Sequence, residues 1–362
     1  MIRVMVVDDS PLVRRIASDI LTADSEITVA ATAANAEFAL AKLEKERPDV
    51  ITLDIEMPGM GGLEAIRRIM AVRPTPIIVL SAHAQRGADL TLQALELGAV
   101  DFVEKPSTSL SGGISAISIE LVEKVKNAAR IIFRELPAAS RAPVHEAPAS
   151  APPAALPADG GDGGGYDLVA IGTSTGGPVA LKTVLTLLPR DLAVGIVVVQ
   201  HMPPVFTKAF ADRLNSCCQV SVKEAENGDL ITPGQVLLAP GNWHMTVSRF
   251  GGESRVLLNQ NENVNGHRPS VDVLMHSVAL EYGNRALGVI MTGMGKDGAD
   301  GLRALNRKGG HVIAQDKESS VIYGMNKEVV QNGDAHEVVS VNDIAARIQA
   351  RLRGRTPARK AL

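Results

Sequence analysis

Cysteine is almost absent from this chain: there are two, Cys217 and Cys218, and they are neighbours. Adjacent cysteines cannot close an ordinary disulfide loop and two are too few for a thiolate zinc site, so both read as reduced packing residues. No apolar run approaches the roughly 18 residues that a membrane helix needs, which argues against direct membrane insertion. The chain opens at once on the strand-like IRVMVVDD, and a cytoplasmic protein is expected. Excess charge is missing as well. A net charge of −3 argues against broad nucleic-acid binding, and the basic end RLRGRTPARKAL reads as a solvated tail. What remains is 362 residues at 45% hydrophobic content, enough for two soluble α/β domains.

The division between them is plain in the composition. From Pro137 to Gly165 the hydrophobic period disappears, prolines accumulate, and five of the last six residues are glycine. This is a flexible linker, with a span of about 30 Å from roughly 5 to 6 Å times the square root of its length. Before it, in residues 1–136, strand patterns at Arg3 to Val7, Ile27 to Ala31, Val50 to Asp54, Ile77 to Ser81 and Val100 to Glu104 alternate with helical ones, the last running from Ile114 to Leu136. That reads as a flavodoxin-like (βα)5 unit. After it, in residues 166–355, the alternation predicts a doubly wound, mostly parallel α/β domain. Segments around Gln235 to Val247 and Arg255 to Leu258 look like a small antiparallel hairpin or edge strands.

Three strands of the second half run straight into a reactive residue. DLVAIGTSTGG leads to Ser174, GIVVVQHMP to His201, and ALGVIMTGMGKDG through a glycine loop to Asp297. In a parallel sheet such endings meet at the carboxyl edge, where open α/β folds place their sites. A serine there can act as nucleophile, a histidine can take its proton, and an aspartate can fix the imidazole tautomer. Taken singly, Ser174 and Asp297 could equally cap the helices that follow, and His201 could be a structural strand-end residue. A dinucleotide-binding loop is excluded, because G-x-G-x-x-G would need glycine at position 174.

The first half carries its own strand-end chemistry. Asp8 and Asp9 end the first strand, Asp54 the third and Ser81 the fourth, and Lys105 follows the fifth. Three carboxylates suit a hard cation such as Mg²⁺, with the lysine compensating charge on a phosphoryl group. Ser10 and Pro11 form a helix start, serine as cap and proline at the first helical position.

VVDDSPLVRR, TLDIEMPGMGGLEAI, VLSAHA and DFVEKP resemble the response-regulator receiver domain. The resemblance implies that Asp54 is the phosphoacceptor, that Asp8, Asp9 and Asp54 hold Mg²⁺, and that Ser81, Phe102 and Lys105 form the phosphorylation switch. GTSTGG, VVQHMPPVFT, LLAPGNWHM, RPSVDVLM, MTGMGKDGADGL and QDKESSVIYGM resemble the chemotaxis protein-glutamate methylesterases in that family's order. By that resemblance Ser174 is nucleophile, His201 general base and Asp297 orienting acid, with the Met294 N–H as oxyanion donor and no cofactor for ester hydrolysis. It further implies methyl-accepting chemoreceptors as substrates, a chemotaxis histidine kinase as phosphodonor, and an unphosphorylated receiver covering the cleft; a monomer is expected. The competing reading is a phosphorylation-dependent scaffold with a degenerate hydrolase domain.

Some positions depart from the pattern or stay outside it. Gly59 and Gly61 replace the family's usual Arg and Asp, which would loosen the loop beside Asp54. Asn326 replaces a proline, which would alter a rim loop. Ser270 is expected to cap a helix starting near Val271, and Arg268 to brace its loop. Met202, Pro203, Pro204 and Phe206 form an apolar patch suited to helix-start packing or to docking. His244, His267 and His311 receive no catalytic assignment.

Overall fold

Short β-branched runs buried on both faces alternate with amphipathic helices, and this pattern builds two parallel sheets. The computed structural model describes residues 1–82, 85–105, 113–131 and 165–353. The first sheet is formed by β1 (Ile2–Val7), β2 (Ile27–Ala33), β3 (Val50–Asp54), β4 (Ile77–Ser81) and β5 (Asp101–Glu104). Between and after them lie α1 (Pro11–Thr22), α2 (Ala36–Glu46), α3 (Gly61–Val72), α4 (Gln85–Glu96) and α5 (Gly113–Ala128). The order is β2-β1-β3-β4-β5, all parallel. Chain direction across the sheet reverses between β1 and β3, so Asp8 and Asp54 emerge side by side at the switch point. Ser10 caps α1 by accepting the Val13 N–H at 3.4 Å, with Pro11 at the helix start. α5 ends at Ala128, short of the expected Leu136; residues 132–136 lie outside the described residues, as does the linker apart from Gly165.

The second sheet contains β6 (Leu168–Thr173), β7 (Gly195–Gln200), β8 (Ser221–Glu224), β9 (Gln235–Leu238), β12 (Ala286–Ile290), β13 (His311–Gln315) and β14 (Glu337–Val339). Its order is β14-β13-β12-β6-β7-β9-β8, again all parallel. The antiparallel hairpin stands apart as β10 (His244–Phe250) and β11 (Glu253–Asn259), turning at Gly251 and Gly252, both at positive φ as a two-residue hairpin turn requires. Gln235–Leu238, expected near the hairpin, instead joins the parallel sheet; a short run buried at three of its four positions looks the same in either setting.

Six helices cover the sheet: α6 (Gly177–Leu185), α7 (Phe206–Cys217), α8 (Val271–Glu281), α9 (Ala299–Arg307), α10 (Met325–Gln331) and α11 (Val341–Leu352). Residues of α8, α9 and α10 share one apolar core with the hairpin. Those of α6, α7 and α11 share another, and that core continues without a break through Phe102 into the first domain. The basic tail beyond residue 353 is outside the described residues.

Candidate active site

The nucleophile candidate sits where β6 turns into α6. Ser174 donates its N–H to the Thr292 carbonyl at 3.0 Å, which pins it to the end of β12, and Gly177 N–H returns to the Ser174 carbonyl at 2.7 Å. Gly176 takes a left-handed conformation (φ +77°), and a Cβ there would lie 2.6 Å from Val321. Glycine is therefore required by both the turn and its neighbour. Gln200 donates from its side-chain Nε2 to the carbonyls of Ser174 (3.0 Å) and His201 (2.9 Å), so one side chain ties the two residues together. Parallel register between Thr173 and Gln200 puts Ser174 and His201 at adjacent strand ends.

His201 Nε2 lies 2.8 Å from Asp297 Oδ2, and Nδ1 is buried with no hydrogen-bond partner. An ionised Asp297 accepts from Nε2–H, a tautomer that leaves the Nδ1 lone pair free to receive a proton. Asp297 is 1% exposed and also accepts from Asn265 Nδ2 (2.9 Å), Ser270 Oγ (2.8 Å), Val271 N–H (2.6 Å) and Asp272 N–H (3.3 Å). Three of these donors belong to the N-terminus of α8, which favours a negative charge. Burial pushes the Asp297 carboxyl up, but His201, Asn265 and the Val271 N–H outweigh it and hold it well below the usual carboxylate range. Met294 lies in the loop between β12 and Asp297. Its neighbour Gly293 packs so closely that a Cβ would come within 2.9 Å of the Ser174 Cβ.

Sequence reasoning passed over two residues of this site. The His267 ring stacks on His201 with centroids 3.8 Å apart and planes 17° apart, and Asn265 Nδ2 bridges Asp297 to Asp272 (2.7 Å). Both come from the tight Val264–His267 turn, which no periodicity marks. Ser270 caps α8 as expected and serves Asp297 too. Arg268 braces its loop, donating to Asn242 Oδ1 and the Gln260 and Asn261 carbonyls. His244 and His311 are structural: His244 Nδ1 accepts from Ser270 N–H, and His311 pairs with Glu337. The buried amide of Asn326 donates to the Gln315 carbonyl and to Ser320 Oγ, each at 2.8 Å.

In the first domain, Asp8, Asp9 and Asp54 bring carboxylate oxygens within 4.8 Å of one another. Asp8 Oδ1 accepts from Ser10 N–H and Asp54 Oδ1 from Glu56 N–H, while both Oδ2 atoms face Lys105 Nζ, at 3.0 and 2.7 Å, without a well-directed hydrogen bond. Burial raises the Asp8 carboxyl despite Lys105, and Lys105 is itself raised because its two aspartates outweigh its burial. Buried carboxylate oxygens lacking a directed donor, beside an exposed third carboxylate, fit Mg²⁺. Ser81 is buried and receives a hydrogen bond from Thr91 of α4 at 2.7 Å. Gly59 and Gly61 both adopt positive φ (+81° and +70°), so the loop uses their freedom as a turn.

The two domains meet beside the Ser174 turn. Thr175 Oγ1 donates to Asp101 Oδ2, Asn127 of α5 contacts Met294, and the Phe102 ring stacks on Phe206 at 4.5 Å between centroids. Phe206 thus serves both packing and docking. Glu96 of α4 bridges Lys182 (2.7 Å) and Arg213 Nε (3.0 Å) of the second domain, and chiefly the Arg213 hydrogen bond lowers its pKa to about 2. Cys217 is exposed at the end of α7, contrary to the expected packing role.

An aspartate–lysine pocket on a five-stranded parallel sheet, docked onto a doubly wound α/β domain, defines a response regulator with a hydrolase output domain. Two family models match, response regulator receiver domain over residues 4–111 and CheB methylesterase over residues 169–348. The chain is 42% identical over 354 residues to protein-glutamate methylesterase/protein-glutamine glutaminase 3 of Burkholderia lata, covering 97% of this chain and 96% of that one. It is 43% identical over 351 residues to the protein-glutamate methylesterase/protein-glutamine glutaminase of Salmonella typhi, covering 97% of each. The solved CheB methylesterase catalytic domain of Thermotoga maritima matches at 42% identity with a TM-score of 0.50, over 51% of this chain and 97% of that one. The chain belongs to the chemotaxis protein-glutamate methylesterase family, an enzyme family of response regulators.

Proposed function

We propose that this chain hydrolyses glutamate γ-methyl esters on methyl-accepting chemoreceptors in the cytoplasm, and that phosphorylation of its receiver raises the rate. The observation that carries the reading is the His201 ring, bonded through Nε2 to a buried, ionised Asp297 and left with a free Nδ1 at the strand end beside Ser174. Ser174 Oγ attacks the ester carbonyl carbon as its proton passes to His201 Nδ1. The oxyanion is received by the Met294 N–H. Collapse breaks the C–O bond, and His201 returns the proton to methanol. Water, deprotonated by His201, then cleaves the acyl-enzyme to free glutamate. Receptor glutamine follows the same route with ammonia as leaving group.

Asp54 accepts the phosphoryl group from a chemotaxis histidine kinase. Asp8, Asp9 and Asp54 would hold Mg²⁺, which when bound supplies positive charge beside the transferring group. Lys105 and Ser81 then meet the phosphoryl oxygens. Rearrangement there reaches Phe102, whose ring lies on Phe206, and so weakens the contacts that Asp101 and Asn127 make beside the nucleophile. The segment at 137–165 acts as the tether between the halves. Ser174→Ala is expected to abolish methanol release from methylated receptor membranes while Asp54 phosphorylation persists; retention of most of the activity would sink the triad.

A further inference from the structure

Fixing His201 requires more than one hydrogen bond. The Asp297 contact anchors Nε2, yet the ring can still rock about that anchor and change the direction in which Nδ1 points, because Nδ1 has no partner of its own. A flat group lying parallel to the imidazole would block that motion. His267 is such a group, stacked at 3.8 Å with a 17° interplanar angle. The same turn, closed by mutual Val264 and His267 backbone hydrogen bonds of 2.9 and 3.1 Å, also sends Asn265 Nδ2 to Asp297 Oδ1. One short turn therefore touches both members of the His201–Asp297 pair.

We propose that His267 is a positioning residue for the hydrolytic reaction, its ring holding the plane of His201 so that Nδ1 stays aimed at Ser174. This inference rests on the triad reading above. The charged and titratable groups facing His267 are His201, Asp297 and, from the docked α5, Lys124. Burial, followed by His201, lowers the His267 pKa to about 4, so this ring is neutral when its neighbour must accept a proton. A second cation stacked on the imidazolium would oppose the reaction; a neutral ring does not. The role needs a flat, uncharged surface and no proton transfer by His267 itself, which sets it apart from a second general base.

The test uses full-length protein treated with acetyl phosphate and Mg²⁺, with a small alkyl fluorophosphonate as probe. Ser174 Oγ bonds to phosphorus, fluoride leaves, and the serine proton goes to His201, so the labelling rate reads how well His201 activates the serine without any receptor substrate. His267→Ala is expected to slow labelling by about 10-fold or more at pH 7, in line with the rate losses that small misplacements of catalytic groups cause. Its acid limb between pH 5 and 9 is expected to move upward, because an uncovered imidazolium is better solvated. His267→Phe, which keeps a flat neutral ring, is expected to stay within about threefold of the parent with the limb unmoved. The proposal is overturned if His267→Ala labels at the parent rate, if it slows with no change in the limb, or if His267→Phe falls as far as His267→Ala. Should His267→Ala fail to fold, His267→Leu takes its place: Phe retained with Leu slowed supports the stack, and equal rates overturn it. An unlabelled parent protein would instead overturn Ser174 as the nucleophile, and the role of the stack with it.

Discussion

Asp8 and Asp297 are both buried beyond the carboxyl end of a parallel strand, Asp8 directly after β1 and Asp297 across the loop that follows β12, and their surroundings differ in kind. Asp297 accepts from five donors, two of them N–H groups opening α8, and its carboxyl is held below the usual range. Asp8 has one directed backbone donor and one ion-paired lysine, and burial holds its carboxyl above the usual range. A carboxylate that is complete within its own chain is fitted to hold a neighbour still. One whose second oxygen lacks a directed partner is fitted to take a ligand. The carboxyl edges of the two sheets thus offer a completed carboxylate in one domain and an incomplete one in the other.

The largest expected effect comes from breaking the completed side. Asp297→Asn removes the charge that sets the His201 tautomer, and methanol release should fall by roughly 10³-fold or more. Next is the pH dependence of stability, where the two aspartates have opposite signs. The folded pKa of Asp297 is depressed, so its contribution is present above the unfolded value of about 3.9 and is lost as pH falls through the folded one. The folded pKa of Asp8 is raised, so its contribution is present below about 3.9 and is lost as pH rises through the folded value. Urea unfolding from pH 2.5 to 6 should show a shallower acid loss for Asp297→Asn and, for Asp8→Asn, a smaller decline as pH rises from 4 to 6.

Loading the incomplete side should stabilise it. Mg²⁺ at ten times its dissociation constant is expected to add about 1.4 kcal/mol to receiver stability, measured by thermal unfolding, and Asp9→Asn should remove most of that gain. The smallest effect belongs to the junction. Glu96→Gln takes away a partly exposed ion-pair network, worth up to about 1 kcal/mol, so basal methanol release should rise by no more than about fivefold and lose part of its salt dependence.

The strand ends carrying Ser174, His201 and Asp297 were legible because buried parallel strands read as unbroken apolar runs and glycines mark where they stop. The Ser270 cap was legible for the same local reason. Its second bond, to Asp297, was not, since 27 residues separate the two and only the fold joins them. His267 escaped because a single histidine in a polar turn has no period, and its meaning appears only against the ring of His201. Gln235–Leu238 and the end of α5 were misjudged where pattern alone cannot tell a parallel strand from a hairpin arm, or a helix end from its continuation. Asn326 was read as a lost proline; in the fold its amide does the bracing.

The claim that the incomplete site governs the complete one is tested most directly by methanol release from methylated receptor membranes, comparing full-length protein before and after stoichiometric phosphorylation of Asp54. The account predicts a severalfold rise that is absent in Asp54→Asn whatever phosphodonor is supplied. Equal rates for the unphosphorylated and fully phosphorylated chain would contradict it.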